Sequence, residues 1–305
     1  MTPLLELKGL HVGIPSRRGN MDIVRDVSFS IMPGEAFGLV GESGSGKSRT
    51  ALSLIRLLKK PLKVTAGEIL FKGDDLRALS DRAMRGLRGD RIAIIFQEPM
   101  TALNPLKTVG RQIAEIFVLH QGQSWAEASR LAVRAFADVQ VPAPEERGRA
   151  YPFQMSGGMR QRVMIAIALA CEPDLLIADE PTTALDVTVQ DEVLKLIAEL
   201  CRARGTAVLL ISHDLGVIAN MCQRVGVMYS GRLVEERDTY DIFVDPQHPY
   251  TKGLLGALSR HGAAGRQRLV DIDSLITNRE SLLQEFYFEP RNDIRDPRVR
   301  AGGAP

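Results

Sequence analysis

The chain has 305 residues, of which 45% are hydrophobic and 25% are charged, and its formal net charge is +2. This composition is typical of a globular protein with one large domain and an appendage. The near-neutral charge gives no overall electrostatic attraction to nucleic acid or lipid, so any such contact must come from a local patch. No nucleic-acid partner is expected. No apolar run reaches the ~18 residues of a membrane span, and the N-terminal stretch around Glu6 is too short and too acidic for a secretory signal. We therefore expect a chain that stays in the cytoplasm.

The N-terminal segment predicts an antiparallel sheet. LLELKGLHV and IVRDVSFSIMPGE alternate apolar and polar residues and end in a turn at Pro33 and Gly34. The apolar run AFGLV then meets a glycine-rich turn that leads into a helical pattern. Further apolar strands are predicted at 91–96, 174–179, 207–212 and 224–230. Because these strands alternate with helical stretches, we predict an α/β fold with a mostly parallel sheet covered on both faces.

Helical periodicity replaces the strand pattern between residues 99 and 165, which predicts a helical insertion in the α/β core. After about residue 250 the charge density rises and the pattern loosens. We therefore expect one domain over residues 1–250, with the insertion at about 99–165, and an extension over 251–305 that ends in a disordered tail.

The three cysteines, Cys171, Cys201 and Cys222, are not arranged in a Cys-x-x-Cys motif. Their spacing argues against a disulfide framework and against a zinc site. Reduced, buried thiols are the expected state of all three.

The segment GESGSGKS matches the pattern G-x-x-x-x-G-K-[ST] and lies between an apolar strand and a helix, as a phosphate loop requires. Its glycines allow successive backbone N–H groups to converge on phosphate oxygens. Lys47 supplies a charge for the β- and γ-phosphates, and the Ser48 hydroxyl is a ligand for Mg²⁺. The predicted nucleotide contacts of this loop are Gly41, Glu42, Ser43, Gly44, Ser45, Gly46, Lys47, Ser48 and Arg49.

Polar residues follow three other apolar strands. LLIADEP carries Asp179, a buried carboxylate that needs a cation, and Glu180, which is suited to polarising the attacking water. Gln97 follows RIAIIF and His213 follows AVLLIS; we expect Gln97 to complete the Mg²⁺ shell with Ser48 and Asp179, and His213 to reach the γ-phosphate. Because ligands lie beyond the carboxyl ends of parallel strands, these residues are predicted to meet in one crevice.

A second candidate anion site begins at Ser156. Gly157 and Gly158 follow it and precede a basic helix, which combines free N–H groups, the positive end of a helix dipole and an absence of side chains. If the helical insertion carries this site away from the phosphate loop, one chain cannot use both sites for the same nucleotide. We therefore predict a head-to-tail dimer with ATP between the subunits.

The motifs, in order, resemble the ATP-binding subunit of ABC transporters over roughly residues 4–258. They are the phosphate loop, the Gln97 loop, the signature MSGGM, LLIADE, the Ala184-Leu185-Asp186 turn and His213. The resemblance implies a P-loop NTPase core of the RecA-like, ABC ATPase type, with an N-terminal antiparallel β subdomain and a helical insertion. It also implies nucleotide contacts from Met159 and Asp186.

The stretch MSGGMRQRVMIAIALACEPDLLIADEPTTALDVTVQ, together with FQEPMTALNP and HPYTKGLL, resembles the first of the two ATPase subunits of oligopeptide and dipeptide importers. That group also includes transporters of nickel, glutathione and opine-like substrates, so the cargo stays open. The implied partners are a second, non-identical ATPase, two transmembrane permease subunits and an extracytoplasmic solute-binding protein. The implied location is peripheral, on the cytoplasmic side of the inner or plasma membrane.

Two features depart from this group. Related chains usually bind an iron–sulfur cluster through cysteines in the C-terminal extension, whereas no cysteine follows Cys222, so no cluster is expected. The family stacks adenine on an aromatic residue before the DVSF strand, but residues 1–28 contain no Tyr, Phe or Trp. The best-aligned residue is Met21, whose thioether is predicted to contact the base.

A soluble ATPase of the same superfamily, acting in DNA repair or on ribosomes, is the main alternative to an importer. A repair ATPase of this type would carry a long coiled coil or a zinc hook, and a ribosomal one would carry two cassettes in one chain. The sequence shows neither feature. A simple phosphate-loop kinase would leave the SGG motif and His213 unexplained. In the importer, the helical insertion is expected to form a groove that receives a cytoplasmic helix of the permease. The loop between Gln97 and this insertion is restricted by Pro99 and Pro105, so it couples the two. Glu115 is a candidate permease contact on the exposed face of the insertion.

Overall fold

The computed structural model of the chain describes residues 2–16, 19–97, 102–182 and 186–261. The strands are β1 (Leu5–Ile14), β2 (Met21–Ile31), β3 (Ala36–Val40), β4 (Lys63–Phe71), β5 (Asp74–Asp75), β6 (Ile92–Ile95), β7 (Leu175–Asp179), β8 (Ala207–Ile211), β9 (Arg224–Tyr229) and β10 (Arg232–Asp238). The helices are α1 (Lys47–Leu54), α2 (Asp81–Leu87), α3 (Val109–Gln121), α4 (Trp125–Asp138), α5 (Pro144–Arg147), α6 (Gly157–Leu169), α7 (Val187–Arg204), α8 (Leu215–Met221), α9 (Thr239–Val244) and α10 (Pro249–His261), with a 3₁₀ helix at Pro152–Gln154. Some predicted features lie outside the described residues, namely the first residues of the insertion at 99–101, Ala184 and Leu185, and the tail after 261.

The N-terminal strands form an antiparallel sheet in the order β2-β1-β4-β5. Leu5 of β1 pairs with Ile31 of β2 and with Phe71 of β4, and all three side chains are buried. Alternation along these strands places one face of the sheet in the core, as the period of two dictates. The antiparallel sheet is thus confirmed. It is larger than the N-terminal segment predicts, because β4, which follows the phosphate loop, pairs with the second edge of β1.

A second sheet has the strand order β10-β9-β3-β8-β7-β6, in which only β10 runs antiparallel to its neighbour. Every residue of β3, β7 and β8 is buried. Along β7, Leu175 and Ile177 enter the core shared with the antiparallel sheet and α1, while Leu176 and Ala178 enter the core shared with the helical region. A parallel sheet covered on both faces requires such continuous apolar strands. The α/β prediction is therefore confirmed.

The helical region consists of α3, α4, α5 and α6. α3 and α4 pack against each other and against α6, and Phe117 and Phe136 are buried in their common core. α6 also packs against β6 and α7, so it continues to Leu169, beyond the predicted end of the insertion at 165. At the other end of the domain, α10 spans the predicted boundary at 250, because Leu255 is buried against the same core.

Parallel pairing brings four strand ends to one edge of the second sheet. Asp179, at the end of β7, pairs with Ile211 at the end of β8, and Leu39 of β3 pairs with Ile211 from the opposite side. Residues that follow β3, β6, β7 and β8 therefore leave the sheet at the same edge. They are Gly41, Gln97, Glu180 and His213.

Close backbone contact makes Gly67 of β4 a sensitive position. It has φ +89° and faces a bulge of β1, and a Cβ added to it would lie 2.1 Å from the carbonyl oxygen of Gly9. We predict that Gly67→Ala lowers the free energy of unfolding by about 3 kcal/mol, because a positive φ costs about 1–2 kcal/mol and overpacking about 1–3 kcal/mol. Urea unfolding of the full chain, followed by circular dichroism, measures this loss.

Gly73→Ala is the matched control, since Gly73 has a similar φ of +91° but nothing within 4 Å of the added Cβ. It carries only the backbone cost, about 1 kcal/mol. Equal urea midpoints for the two variants would contradict the assigned role of the bulge contact.

Candidate nucleotide-binding site

The phosphate loop leaves β3 at Gly41, and two of its positions require glycine. Gly41 has φ +143°, and a Cβ there would lie 2.1 Å from the backbone oxygen of Met228 in β9. Gly46 has φ +107°, and its Cβ would press on side-chain atoms of Met228 and Val24 at 3.2 Å. Only glycine meets both conditions. No side-chain hydrogen bond caps α1 at Gly46, so the first N–H groups of this helix suit an anion.

The ammonium group of Lys47 is buried at the centre of this loop. Its Nζ donates hydrogen bonds to the carbonyl oxygens of Gly41 at 2.7 Å and Glu42 at 2.9 Å. Burial lowers the pKa of Lys47, and the negative charges of Glu180 and Asp179 oppose that shift. Lys47 therefore combines a strongly desolvated charge with hydrogen bonds that a phosphate group is able to replace.

Ser48 and Asp179 link the phosphate loop to the end of β7. The Ser48 hydroxyl donates to Oδ1 of Asp179 at 3.0 Å. Burial raises the pKa of Asp179, whereas the Ser48 hydrogen bond acts in the opposite direction. The two predicted metal ligands are thus in contact. Asp179 is a buried carboxylate, which a bound cation would stabilise.

Glu180 brings the predicted catalytic residues together. Its carboxylate Oε2 accepts a hydrogen bond from Nε2 of Gln97 at 2.9 Å and lies 3.4 Å from Nδ1 of His213. Glu180 has φ +47°, a left-handed conformation that is costly for a residue with a side chain. Its N–H donates to the carbonyl oxygen of Ile211 at 2.9 Å, which anchors it at the end of β8. Gln97, Glu180 and His213 therefore form one cluster.

The donor set fits Mg²⁺. Ser48, Asp179 and Gln97 all offer oxygen atoms, which Mg²⁺ prefers, and Ser48 and Asp179 are in direct contact. Within the described ranges, no group of three or more His, Cys, Asp or Glu side chains is arranged to hold a metal ion. Such a sparse protein set suits a Mg²⁺ ion whose remaining ligands are phosphate oxygens and water.

The second predicted anion site falls at the start of α6. Ser156 is the N-cap, and its hydroxyl accepts a hydrogen bond from the N–H of Met159 at 3.3 Å. Gly158 has a packing requirement that the sequence does not reveal, because an added Cβ would lie 2.9 Å from Cγ1 of Val189 in α7. Serine and glycine thus shape the helix start as predicted, although one of its N–H groups is satisfied within the chain.

The remaining predicted contacts are more dispersed. Asp186 caps α7 by accepting a hydrogen bond from the N–H of Val189 at 3.0 Å. Met21 is 69% exposed at the start of β2, where it pairs with Ile14 of β1. In and beside the phosphate loop, the exposed residues are Glu42, Ser43, Gly44 and Arg49, whereas Ser45 is buried. β2 links Met21 to the phosphate loop. Val24, three residues after Met21 in this strand, is one of the side chains that a Cβ added to Gly46 would meet.

Tyr250 is a neighbour of the loop that sequence reasoning missed. Its hydroxyl accepts a hydrogen bond from the backbone N–H of Glu42 at 3.0 Å, and its ring lies 4.3 Å from the ring of Tyr229. The HPYTKGLL stretch had indicated only a subfamily. No local pattern predicts this contact, because 208 residues separate Tyr250 from Glu42.

The cysteines differ in burial. Cys201 and Cys222 are buried as predicted, but Cys171 is only partly buried, so the prediction is wrong for that residue. Burial raises the pKa of Cys171 to about 11 and that of Cys201 to about 12, so both thiols are protonated at neutral pH. In the described part of the chain, the helices are too short or too polar to cross a bilayer.

Comparison with known families gives two matches. The profile described as "ABC transporter" matches residues 24–183, and that described as "Oligopeptide/dipeptide transporter, C-terminal region" matches residues 234–295. The second match begins within β10 and includes Tyr250.

Curated relatives are similar over most of both chains. The dipeptide transport ATP-binding protein DppD of Bacillus subtilis is 51% identical over 274 residues, which are 90% of this chain and 82% of the relative. The probable peptide ABC transporter ATP-binding protein y4tR of Sinorhizobium fredii is 50% identical, with coverage of 92% and 84%. The oligopeptide transport ATP-binding protein OppD of Salmonella typhimurium is 47% identical, with coverage of 87% and 79%.

Solved structures of the ATP-binding cassette MJ0796 share the fold. A dimeric, post-hydrolysis form bound to ADP and Pi matches with a TM-score of 0.68 and 28% identity, over 77% of this chain and 98% of that one. A second dimeric structure, described as a bacterial ABC transporter cassette, gives the same TM-score at 27% identity. From the profile match, the identity to relatives and the shared fold, the chain belongs to the family of ABC transporter ATP-binding proteins.

Proposed function

We propose that this chain is the ATP-binding and ATP-hydrolysing subunit of an ABC importer that takes up peptides or dipeptides. The observation that carries the proposal is the meeting of Ser48, Asp179, Glu180, Gln97 and His213 at one sheet edge, through contacts of 2.9–3.4 Å. The names of the relatives support the peptide cargo. They give no support to a soluble ATPase outside transport. A nickel, glutathione or opine-like cargo is the alternative within transport.

In the proposed reaction, Lys47 exchanges its carbonyl partners for oxygens of the β- and γ-phosphates. Glu180 orients a water molecule toward the γ-phosphorus and accepts its proton as the new P–O bond forms. The bond to the β,γ-bridging oxygen breaks, and ADP leaves with the electron pair. Gln97 and His213 both approach Oε2 of Glu180, which fixes the orientation of the carboxylate.

Ser48, Asp179 and Gln97 are the residues that would hold Mg²⁺, which when bound neutralises charge on the β- and γ-phosphates. Asp179 is buried, so its charge acts at short range with little screening by solvent. The Ser48 hydroxyl, which now donates to Asp179, orients that carboxylate toward the phosphate loop.

The other half of the nucleotide site belongs, in this proposal, to a partner ATPase. Ser156, Gly157, Gly158 and Met159 of each chain contact the nucleotide on the other chain, with Asp186 at the same interface. Support comes from the start of α6 on the helical region and from the dimeric form of the solved cassettes. The resemblance to one member of an ATPase pair favours a non-identical partner.

We propose that adenine contacts Met21. Ile14 pairs with Met21 across the end of the antiparallel sheet. We therefore include both apolar side chains in the proposed contact with adenine. A thioether and an aliphatic group offer the base a soft apolar surface without the stacking of an aromatic ring. The predicted absence of an iron–sulfur cluster stays a prediction.

The proposed permease contact lies on the helical region, with the chain as a peripheral subunit at the cytoplasmic face of the membrane. A solute-binding protein completes the proposed importer outside the membrane. Leu106 is 86% exposed, and Leu119 and Phe153 are also exposed in this region. These exposed apolar side chains support the proposed contact, because a protein partner would remove them from water. Glu115 is a poorer candidate than predicted, because both of its carboxylate oxygens accept hydrogen bonds from Lys107 at 2.6 and 2.9 Å.

The roles of Glu180 and Lys47 are tested by two variants that must differ in kind. Glu180→Gln is expected to bind MgATP normally, to hydrolyse it about 100-fold more slowly or worse, and to accumulate a closed dimer, because only proton acceptance is lost. Lys47→Ala is expected to bind ATP roughly tenfold more weakly or worse, since it loses charge-assisted hydrogen bonds. Calorimetric titration with ATP and single-turnover hydrolysis measure the two quantities. Near-normal turnover of Glu180→Gln would remove the assignment.

Pairing with a second ATPase gives a further prediction. The isolated chain is expected to hydrolyse ATP poorly and to gain activity when the non-identical partner is added, because each nucleotide needs a signature helix from the opposite chain. Steady-state hydrolysis at varied partner concentration measures the gain. Cooperative hydrolysis by the pure chain, with an ATP-dependent homodimer in size-exclusion chromatography, would instead indicate a homodimeric transporter.

Permease docking is tested by crosslinking single-cysteine variants over residues 98–120 to the permease, with and without ATP. We expect Leu106→Cys to crosslink, and Glu68→Cys, on the exposed face of β4, to stay free as the control. Cys171 is replaced by serine, whereas the buried thiols of Cys201 and Cys222 are inert in the background. If no position in the window crosslinks, this surface is not the docking site.

A further inference from the structure

One peptide unit connects the ammonium group of Lys47 to the C-terminal region. The carbonyl oxygen of Gly41 accepts a hydrogen bond from Nζ of Lys47 at 2.7 Å, and the N–H of Glu42 donates to the hydroxyl of Tyr250 at 3.0 Å. The carbonyl of Gly41 and the N–H of Glu42 belong to the same rigid peptide plane. Any rotation of this plane therefore strains both hydrogen bonds together.

Tyr250 is held in place by the sheet. The carboxylate of Glu235, on β10, accepts hydrogen bonds from the backbone N–H groups of Gln247 at 2.7 Å and His248 at 2.9 Å. Nδ1 of His248 in turn accepts a hydrogen bond from the N–H of Tyr250 at 3.1 Å. The ring of Tyr250 packs on that of Tyr229, which ends β9. These contacts fix the tyrosine relative to β9 and β10, and β9 pairs directly with β3.

The Glu235 carboxylate is suited to this role. Burial alone would raise its pKa, but the hydrogen bonds that it accepts outweigh burial, and its pKa lies below the ordinary value. It therefore stays ionised and accepts charge-assisted hydrogen bonds at neutral pH. These contacts lie within the part of the chain that matches the oligopeptide/dipeptide transporter C-terminal region.

We propose that Tyr250 is a positioning residue for ATP binding, through which the C-terminal region sets the orientation of the Gly41–Glu42 peptide and hence the place of the Lys47 ammonium group. The inference rests on the proposed role of Lys47 in phosphate binding. Its physical basis is that donors and acceptors in series polarise one another, so a hydroxyl on one side of a peptide plane strengthens the carbonyl on the other. Close contact of Gly41 with Met228 limits other movements of this peptide.

The test uses the full chain and compares Tyr250→Phe with Tyr229→Phe. Tyr250→Phe keeps the ring pair and removes the acceptor of the Glu42 N–H. Tyr229→Phe keeps the same ring pair and removes a hydroxyl for which the described residues show no hydrogen bond. We expect Tyr250→Phe to raise the Kd and KM for MgATP about three- to tenfold, the range of one net hydrogen bond, with kcat within about twofold. Tyr229→Phe should match the wild type.

A double-mutant cycle separates positioning from general stabilisation. Glu235→Gln is expected to raise the Kd for MgATP as Tyr250→Phe does. The double variant is expected to bind MgATP no more weakly than the single variant with the higher Kd, because both substitutions act through the contact of Tyr250 with Glu42. Thermal unfolding of each variant provides the stability readout. Equal ATP affinity of Tyr250→Phe and wild type, an effect of similar size in Tyr229→Phe, or additive effects in the double variant would each overturn the proposal. Failure of Lys47→Ala to weaken ATP binding would instead remove the proposed function on which it rests.

Discussion

The buried ammonium group of Lys47 is the constraint around which the site is arranged. An enclosed charge is costly unless hydrogen bonds and opposite charges surround it. The carbonyl oxygens of Gly41 and Glu42 provide the hydrogen bonds, and the carboxylates of Asp179 and Glu180 provide the negative charge. The shape of the phosphate loop and the acidic end of β7 are therefore not independent features. Each stabilises the same cation.

Sheet topology sets the distance across which these groups must act. β8 lies between β3 and β7, so the loop strand and the acidic strand are about 10 Å apart. The phosphate loop and α1 bridge that gap and bring the Ser48 hydroxyl to Asp179. The intervening strand contributes His213, and β6 on the far side contributes Gln97. Four neighbouring strands thus supply one side chain or loop each.

The antiparallel sheet and the C-terminal helices support the loop from the other side. Backbone of β9 touches Gly41, a side chain of β2 lies against Gly46, and Tyr250 holds the peptide between Gly41 and Glu42. These contacts come from segments on both sides of the loop in sequence. The phosphate loop is therefore a point at which the two sheets and the C-terminal region meet.

Sequence alone determined the features that local pattern encodes. The strand, glycine turn and helix around Lys47, the acidic pair after an apolar strand, and the capped start of α6 each lie within a few neighbouring residues, where periodicity and residue chemistry suffice. Only tertiary structure decided the pairing of β4 with β1, the ion pair of Glu115 with Lys107 and the contact of Tyr250 with the loop. These contacts depend on which segments lie next to each other once the chain is folded. The local sequence period does not predict them, because strand pairing and burial are properties of the assembled sheets.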